Sequence, residues 1–163
     1  MADRRLQAYG LSVAVFAVDR LSKWVIEQRV SAFDVHTVIP GFFDIVHSQN
    51  RGVAFGLMND SPSVWRTLAL IVFASAAMLV VASMLWRASR ADRLTAIGLA
   101  LILGGAAGNL FDRIMWGRVT DFLEFYMGDL HWPTFNVADS CVVIGSGLLL
   151  LDILRPRHQA AQT

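Results

Sequence analysis

WRTLALIVFASAAMLVVASMLW, residues 65–86, decides what kind of protein this is. The run holds no charge between Arg66 and Arg87, and at ~1.5 Å per residue it is long enough to cross a ~30 Å hydrocarbon core. Trp65 and Trp86 stand at its ends, where indole rings favour the membrane–water interface. Three further stretches, about residues 8–26, 94–111 and 137–154, read the same way. With 55% hydrophobic residues and a mean hydropathy of +0.50, the 163-residue chain is too apolar for an ordinary soluble domain. The expected fold is an all-α membrane protein: a four-transmembrane-helix bundle, one integral membrane domain over residues 1–163, with extracytoplasmic segments at about 27–64 and 112–136.

Arginine placement orients the bundle, because cytoplasmic flanks retain Lys and Arg. Arg4 and Arg5 precede the first span, Arg87, Arg90 and Arg93 lie between the second and third, and Arg155 and Arg157 follow the fourth. With an even number of spans these segments share one side, so both termini read as cytoplasmic. The bias is partial, since Arg29, Arg51, Arg66, Arg113 and Arg118 fall on the other side. The first apolar run ends in Asp19-Arg20-Leu21-Ser22-Lys23 rather than a small-residue cleavage site, which argues for a retained span over a cleaved signal peptide. The net charge of +1 gives no reason to expect a nucleic-acid partner. A single cysteine, Cys141, excludes an intramolecular disulfide and is expected as a buried thiol in the last span.

Between the first two spans, Val35–Ile39 and Phe42–Val46 are β-branched and aromatic runs separated by Pro40-Gly41. They predict two strands and a turn, hence a small extracytoplasmic β-sheet between helices one and two. The following Asn50-Arg51-Gly52-Val53-Ala54-Phe55-Gly56 reads as a loop. In the third span, Gly104 and Gly108 form a small-xxx-small pair that lets a neighbouring backbone approach, bringing the following Asn109 into the bundle. Asn109, Asp112 and Arg113 share one face at the outer end of the helix, where they also read as a capped, self-neutralised terminus.

Two aspartates stand out at span edges, where an ionisable side chain is a functional candidate by default. Asp121 lies in Val119-Thr120-Asp121-Phe122 and Asp139 in Phe135-Asn136-Val137-Ala138-Asp139-Ser140. Asp139 has an alternative role, since Asn136 is placed as a helix N-cap with Asp139 at the third helical position. Asp19 and Lys23, spaced i,i+4, form either a structural ion pair or a support for a site. Asp152, three residues before Arg155, reads as a surface ion pair. Two carboxylates sharing one proton can hydrolyse a peptide bond without a metal or a covalent intermediate: the ionised member takes a proton from water while the protonated member polarises the carbonyl. Asn50, Asn109 and Asn136 could orient peptide groups, and Arg113 could bind a carbonyl or an acidic lipid group. No metal-ligand spacing of the His-x-x-Glu-His kind is present, and neither a metal nor another cofactor is expected. A proton-linked transporter and a scaffold whose aspartates only cap helices remain the rival classes.

At these residues the chain resembles lipoprotein signal peptidase, also called signal peptidase II, a bacterial membrane aspartic protease. The resemblance spans nearly the whole chain in five ordered blocks: Asp19-Arg20-Leu21-Ser22-Lys23, Asn50-Arg51-Gly52-Val53-Ala54-Phe55, Gly108-Asn109-Leu110-Phe111-Asp112-Arg113, Val119-Thr120-Asp121-Phe122 and Phe135-Asn136-Val137-Ala138-Asp139. It implies an endopeptidase that cuts diacylglyceryl-modified prolipoproteins just before the lipidated cysteine, with Asp121 and Asp139 as the catalytic dyad. Asn50, Arg51, Gly52, Asn109, Arg113 and Asn136 then correspond to residues that bind substrate or support the site, and Asp19, Lys23 and Asp112 to polar residues that hold bundle and site together. It further implies a monomer in the bacterial inner membrane, in contact with membrane lipids, with its site toward the outer leaflet and inhibited by the cyclic peptide globomycin. The segment 27–64 is then expected to cradle the substrate, and the loop 126–133 to act as a lid.

Overall fold

A computed structural model describes residues 4–52, 64–87 and 93–155. The elements run α1 (Arg4–Arg29), β1 (Val35–Ile39), β2 (Phe43–Asn50), α2 (Val64–Arg87), α3 (Arg93–Trp116), β3 (Val119–Met127), β4 (Leu130–His131) and α4 (Val137–Leu154). The four expected helices are present. By length and composition α2, α3 and α4 are candidate membrane spans. α1 is the longest of the described helices, about 39 Å at 1.5 Å per residue, but it carries Asp19, Arg20, Lys23 and Glu27 within its C-terminal half. The continuation of the loop motif at 53–56, Arg90 and Arg157 lie outside the described residues.

α3 is the centre of the bundle and packs against α1, α2 and α4. Glycines set the distances. A Cβ on Gly105 would sit 2.4 Å from the Ala138 carbonyl oxygen of α4, and one on Gly104 2.5 Å from the Ser12 carbonyl oxygen of α1. Gly98 of α3 and Gly145 of α4 face each other in the same way. Such backbone approach compensates for the weak hydrophobic drive between helices in lipid. Where α2 ends and α3 begins, Leu85, Leu99, Ala100 and Ala8 form a small buried core. There Asp152, expected as a surface ion pair, is buried instead and accepts a 2.5 Å hydrogen bond from Thr95 that ties α4 to α3. Cys141, expected as buried, is only half-buried.

The sheet departs from expectation in its origin. β1 and β2 do form at the predicted runs, but they supply only half of a four-stranded antiparallel sheet of order β1-β2-β3-β4; β3 and β4 come from the connection between α3 and α4. The sheet therefore does not belong to the α1–α2 segment alone. β3, Val-Thr-Asp-Phe-Leu-Glu-Phe-Tyr-Met, is rich in β-branched and aromatic residues, and β2 offers it an unpaired edge. The stretch expected as a lid, 126–133, contains the tight β3–β4 turn, with Gly128 at φ 58°.

The third helix also runs past its expected end at Phe111 to Trp116. Asp112 and Arg113 do not stop it, because Asp112 is neutralised by partners on α1. Gly117 does, with φ 66° and its N–H on the Arg113 carbonyl at 3.0 Å, a left-handed terminus that glycine adopts without strain.

Gly105→Ala is expected to destabilise the fold by about 1–3 kcal/mol through forced separation of α3 and α4, whereas Gly147→Ala, which meets nothing within 4 Å, is expected to leave stability unchanged or raise it. Denaturant unfolding in detergent checks both.

Candidate active site

The site is assembled outward from one ammonium group. Lys23 of α1 is fully buried, and its Nζ lies 2.8 Å from Asp19 Oδ2, 2.7 Å from Asp112 Oδ2 and 2.8 Å from Asn109 Oδ1. It donates hydrogen bonds to Asp19 and Asn109 and forms an ion pair with Asp112. Asp112 takes its second cation from Arg20, which also lies over the rings of Trp116 and Phe111 at 4.7 and 5.2 Å. Two carboxylates and two cations thus balance inside the bundle.

Each partner of Lys23 carries the organisation one step further. Asp19 Oδ1 accepts the Ala138 N–H at 2.9 Å, so a side chain of α1 satisfies an otherwise orphan donor in the first turn of α4. Gly108 makes room for it, since a Cβ there would lie 2.3 Å from Asp19 Oδ2. Asn109, whose oxygen accepts from Lys23, must turn its amide nitrogen the other way. That nitrogen donates to Asp139 Oδ1 at 2.7 Å.

Asn136 joins the two aspartates. As N-cap of α4 its side-chain oxygen accepts the Asp139 N–H at 3.0 Å, while Asp139 Oδ2 accepts the Asn136 N–H at 3.2 Å: a reciprocal capping box. The Asn136 amide nitrogen donates to Asp121 Oδ1 at 2.7 Å. Asp121 Oδ2 in turn accepts from Asn50 at 3.0 Å, and Asn50 Oδ1 is held by the Gly52 N–H at 2.8 Å. The capping role weighed for Asp139 is therefore real, and it occupies one carboxylate oxygen.

Asp121, on β3 and outside the helices, has its pKa pushed up to about 6. Burial is the main cause and the negative charge of Asp139 adds to it, against hydrogen bonds from Asn50 and Asn136 and the charge of Lys23. Among the described residues no three His, Cys, Asp or Glu side chains cluster so as to hold a metal ion.

The sequence matches the family model for Signal peptidase (SPase) II over residues 11–155. The chain belongs to the signal peptidase II family. It is 62% identical to a lipoprotein signal peptidase of Solibacter usitatus over 161 residues, covering 99% of this chain and 98% of that one. A lipoprotein signal peptidase of Maridesulfovibrio salexigens is 37% identical over 145 residues, covering 89% and 93%. A solved bacterial membrane enzyme obtained by the in meso method superposes with a TM-score of 0.75 at 25% identity, covering 91% of this chain and 93% of its own.

In this signal peptidase II family member nine of the eleven residues singled out from sequence, Asp19, Lys23, Asn50, Gly52, Asn109, Asp112, Asp121, Asn136 and Asp139, fall into one hydrogen-bonded network. Arg113 borders it: one guanidinium nitrogen donates to the Asn109 carbonyl at 3.2 Å, Nε is buried without a partner, and its charge acts on Asp139 and Asp121. Arg51 is exposed. Sequence reasoning passed over Arg20 and Glu27. Arg20 stood beside Asp19 in a quoted motif, and the signal for it was Asp112, a second buried carboxylate in need of a second cation. Glu27 accepts from Thr120 at 2.7 Å, fastening α1 to the strand that carries Asp121.

Lys23→Met is expected to cost roughly 3–5 kcal/mol by leaving buried carboxylates uncompensated, and adding Asp19→Asn in the same chain is expected to restore most of it; unfolding of both variants in detergent checks this. Asp121 binds its proton more tightly in the folded than in the unfolded chain, where its ordinary pKa is 3.8. Its contribution is therefore full below that value and lost as pH rises through about 6, by at most about 3 kcal/mol. The stability of the wild type relative to Asp121→Asn is expected to fall across that window.

Proposed function

We propose that this chain removes signal peptides from diacylglyceryl-modified prolipoproteins, cutting before the lipidated cysteine by means of Asp121 and Asp139. Family membership supports the substrate class. The observation that carries the mechanism is Asn136, one residue hydrogen-bonded to both carboxylates. Two carboxylates held by one short side chain interact strongly enough to share a proton and titrate as a unit. Asp121, with its raised pKa, holds that proton, and Asp139, positioned by Asn109 and Asn136, is the base.

Asp139 takes a proton from the attacking water as its oxygen bonds to the scissile carbonyl carbon, while Asp121 hydrogen-bonds the carbonyl oxygen and stabilises the charge that develops there. Collapse of the tetrahedral intermediate breaks the C–N bond, with a proton passed to the leaving nitrogen. Asn50, Asn109 and Asn136 fix the carboxylates, and Arg113 offers a donor to the substrate backbone. A globomycin-type cyclic peptide would occupy the same space.

α1 serves as the fourth span in this reading. Its composition argues against that, but Asp19 and Lys23 are buried against each other and against α3, so lipid does not meet them as bare charges. Both termini then lie in the cytoplasm of a multi-pass, monomeric inner-membrane protein. The sheet and the dyad sit at the outer leaflet, where acyl chains on the substrate cysteine hold the scissile bond at the depth of the α4 mouth.

Asp121→Asn and Asp139→Asn are each expected to lower kcat by roughly 10²-fold or more on a diacylated prolipoprotein in detergent, and a chelator is expected to have no effect. Cleavage that survives both substitutions would remove the dyad, and loss on chelation alone would replace it with a metal. Because the acid must be protonated, kcat/KM is expected to decline above about pH 6, by about tenfold per pH unit.

A further inference from the structure

The strand that carries Asp121 has a second face, and it borders a cavity the reaction does not use. β2 and β3 pair with Ser48 opposite Asp121, Gln49 opposite Thr120 and Asn50 opposite Val119. Side chains alternate across a sheet, so Asn50 and Asp121 turn to the dyad while Gln49 and Thr120 turn away from it. His47, Gln49, Arg118 and Thr120, with Glu27 near the end of α1 and Trp116 at the end of α3, line a cavity of about 290 Å³.

Its walls carry both signs of charge. Glu27 and Arg118 share the cavity without pairing with each other. Thr120 donates to Glu27 Oε1 at 2.7 Å, and the other carboxylate oxygen remains for a further donor. The His47 Nδ1–H donates to the Val30 carbonyl at 2.8 Å, which fixes the imidazole as part of the wall, with Nε2 buried away from the open space. A fitting ligand therefore presents an anionic oxygen cluster to the guanidinium of Arg118 and, elsewhere in the same cavity, an N–H-bearing cation to the free oxygen of Glu27. A phosphodiester followed two carbons later by a primary ammonium has that pattern. A quaternary ammonium lacks the N–H donors, and a glycerol headgroup lacks the cation.

We infer that this cavity binds the phosphoethanolamine headgroup of a phospholipid. The source is the lipid rather than a free metabolite, because the cavity lies where two helices end and Trp116 marks an interfacial depth; that placement in the outer leaflet rests on the topology proposed above. An occupant there bears on Glu27 and Thr120, hence on the strand that holds Asp121, so outer-leaflet ethanolamine lipid steadies the dyad from behind.

The test uses the full chain, delipidated in detergent and then offered phosphatidylethanolamine, phosphatidylglycerol or phosphatidylcholine, with bound lipid read by native mass spectrometry. Retention of phosphatidylethanolamine is expected to exceed the other two by roughly tenfold. Glu27→Gln keeps an oxygen for Thr120 but removes the charge, and is expected to bring phosphatidylethanolamine and phosphatidylglycerol to parity. Arg118→Gln is expected to weaken retention of phosphatidylethanolamine by a similar factor, and should either charged variant fail to fold, Gln49→Leu gives the same reading. Asp139→Asn is expected to bind lipid as the wild type does, which separates this site from the catalytic proposal. Equal retention of the three lipids by the wild type, or a preference unchanged in the cavity variants, would overturn the inference. Competition by soluble glycerophosphoethanolamine at equal concentration would overturn the lipid as its occupant.

Discussion

A buried ammonium surrounded by three acceptors is the constraint on which this structure depends. Lys23 cannot shed its charge into water, and its ammonium is in contact with Asp19, Asp112 and Asn109. Each direction has a structural result. Through Asp19 it reaches the first turn of α4, through Asp112 it draws in Arg20 and the aromatic rings at the end of α3, and through Asn109 it orients an amide toward Asp139. The geometry of the carboxylates thus rests on a charge several bonds away that touches neither of them. A buried ion pair is weak evidence for stability in its own right; here it joins α1 to α3 and, through Asp19, to α4.

The aspartates themselves sit on different kinds of support. Asp139 belongs to a helix terminus, where the capping box leaves it little rotational freedom. Asp121 belongs to a strand whose register against β2 sets which face it presents. Asn136 spans the junction, using its oxygen for the helix and its amide nitrogen for the strand carboxylate. The capping and catalytic readings of Asp139 therefore do not compete, because each carboxylate has two oxygens.

The helices were legible because apolar runs of membrane length leave few alternatives, and the α4 cap was legible because Asn136 and Asp139 stand at the spacing a capping box requires. The outer end of α3 was not, since Asp112 and Arg113 look like a terminus until Arg20 and Lys23 are known to lie alongside. Half of the sheet was also hidden. Val119–Met127 has strand-forming residues, but the partner that makes it a strand lies some seventy positions earlier, and no local pattern announces a pairing across two helices. Arg20 and Glu27 were obscured for the same reason: their partners, Asp112 and Thr120, are remote in sequence.

The i,i+4 spacing of Asp19 and Lys23 matters before the bundle exists. As the first helix emerges from the ribosome, α3 and α4 have not been made, and neither Asn109, Asp112 nor the Ala138 N–H is there to receive it. Within one turn of α1, however, the carboxylate and the ammonium already face each other, so in the four-span topology proposed above this pair enters the bilayer already neutralised, and only Arg20 waits for Asp112. The later helices then dock onto a pair that has travelled together, and the polar centre of the finished protein begins as the passport of its first helix.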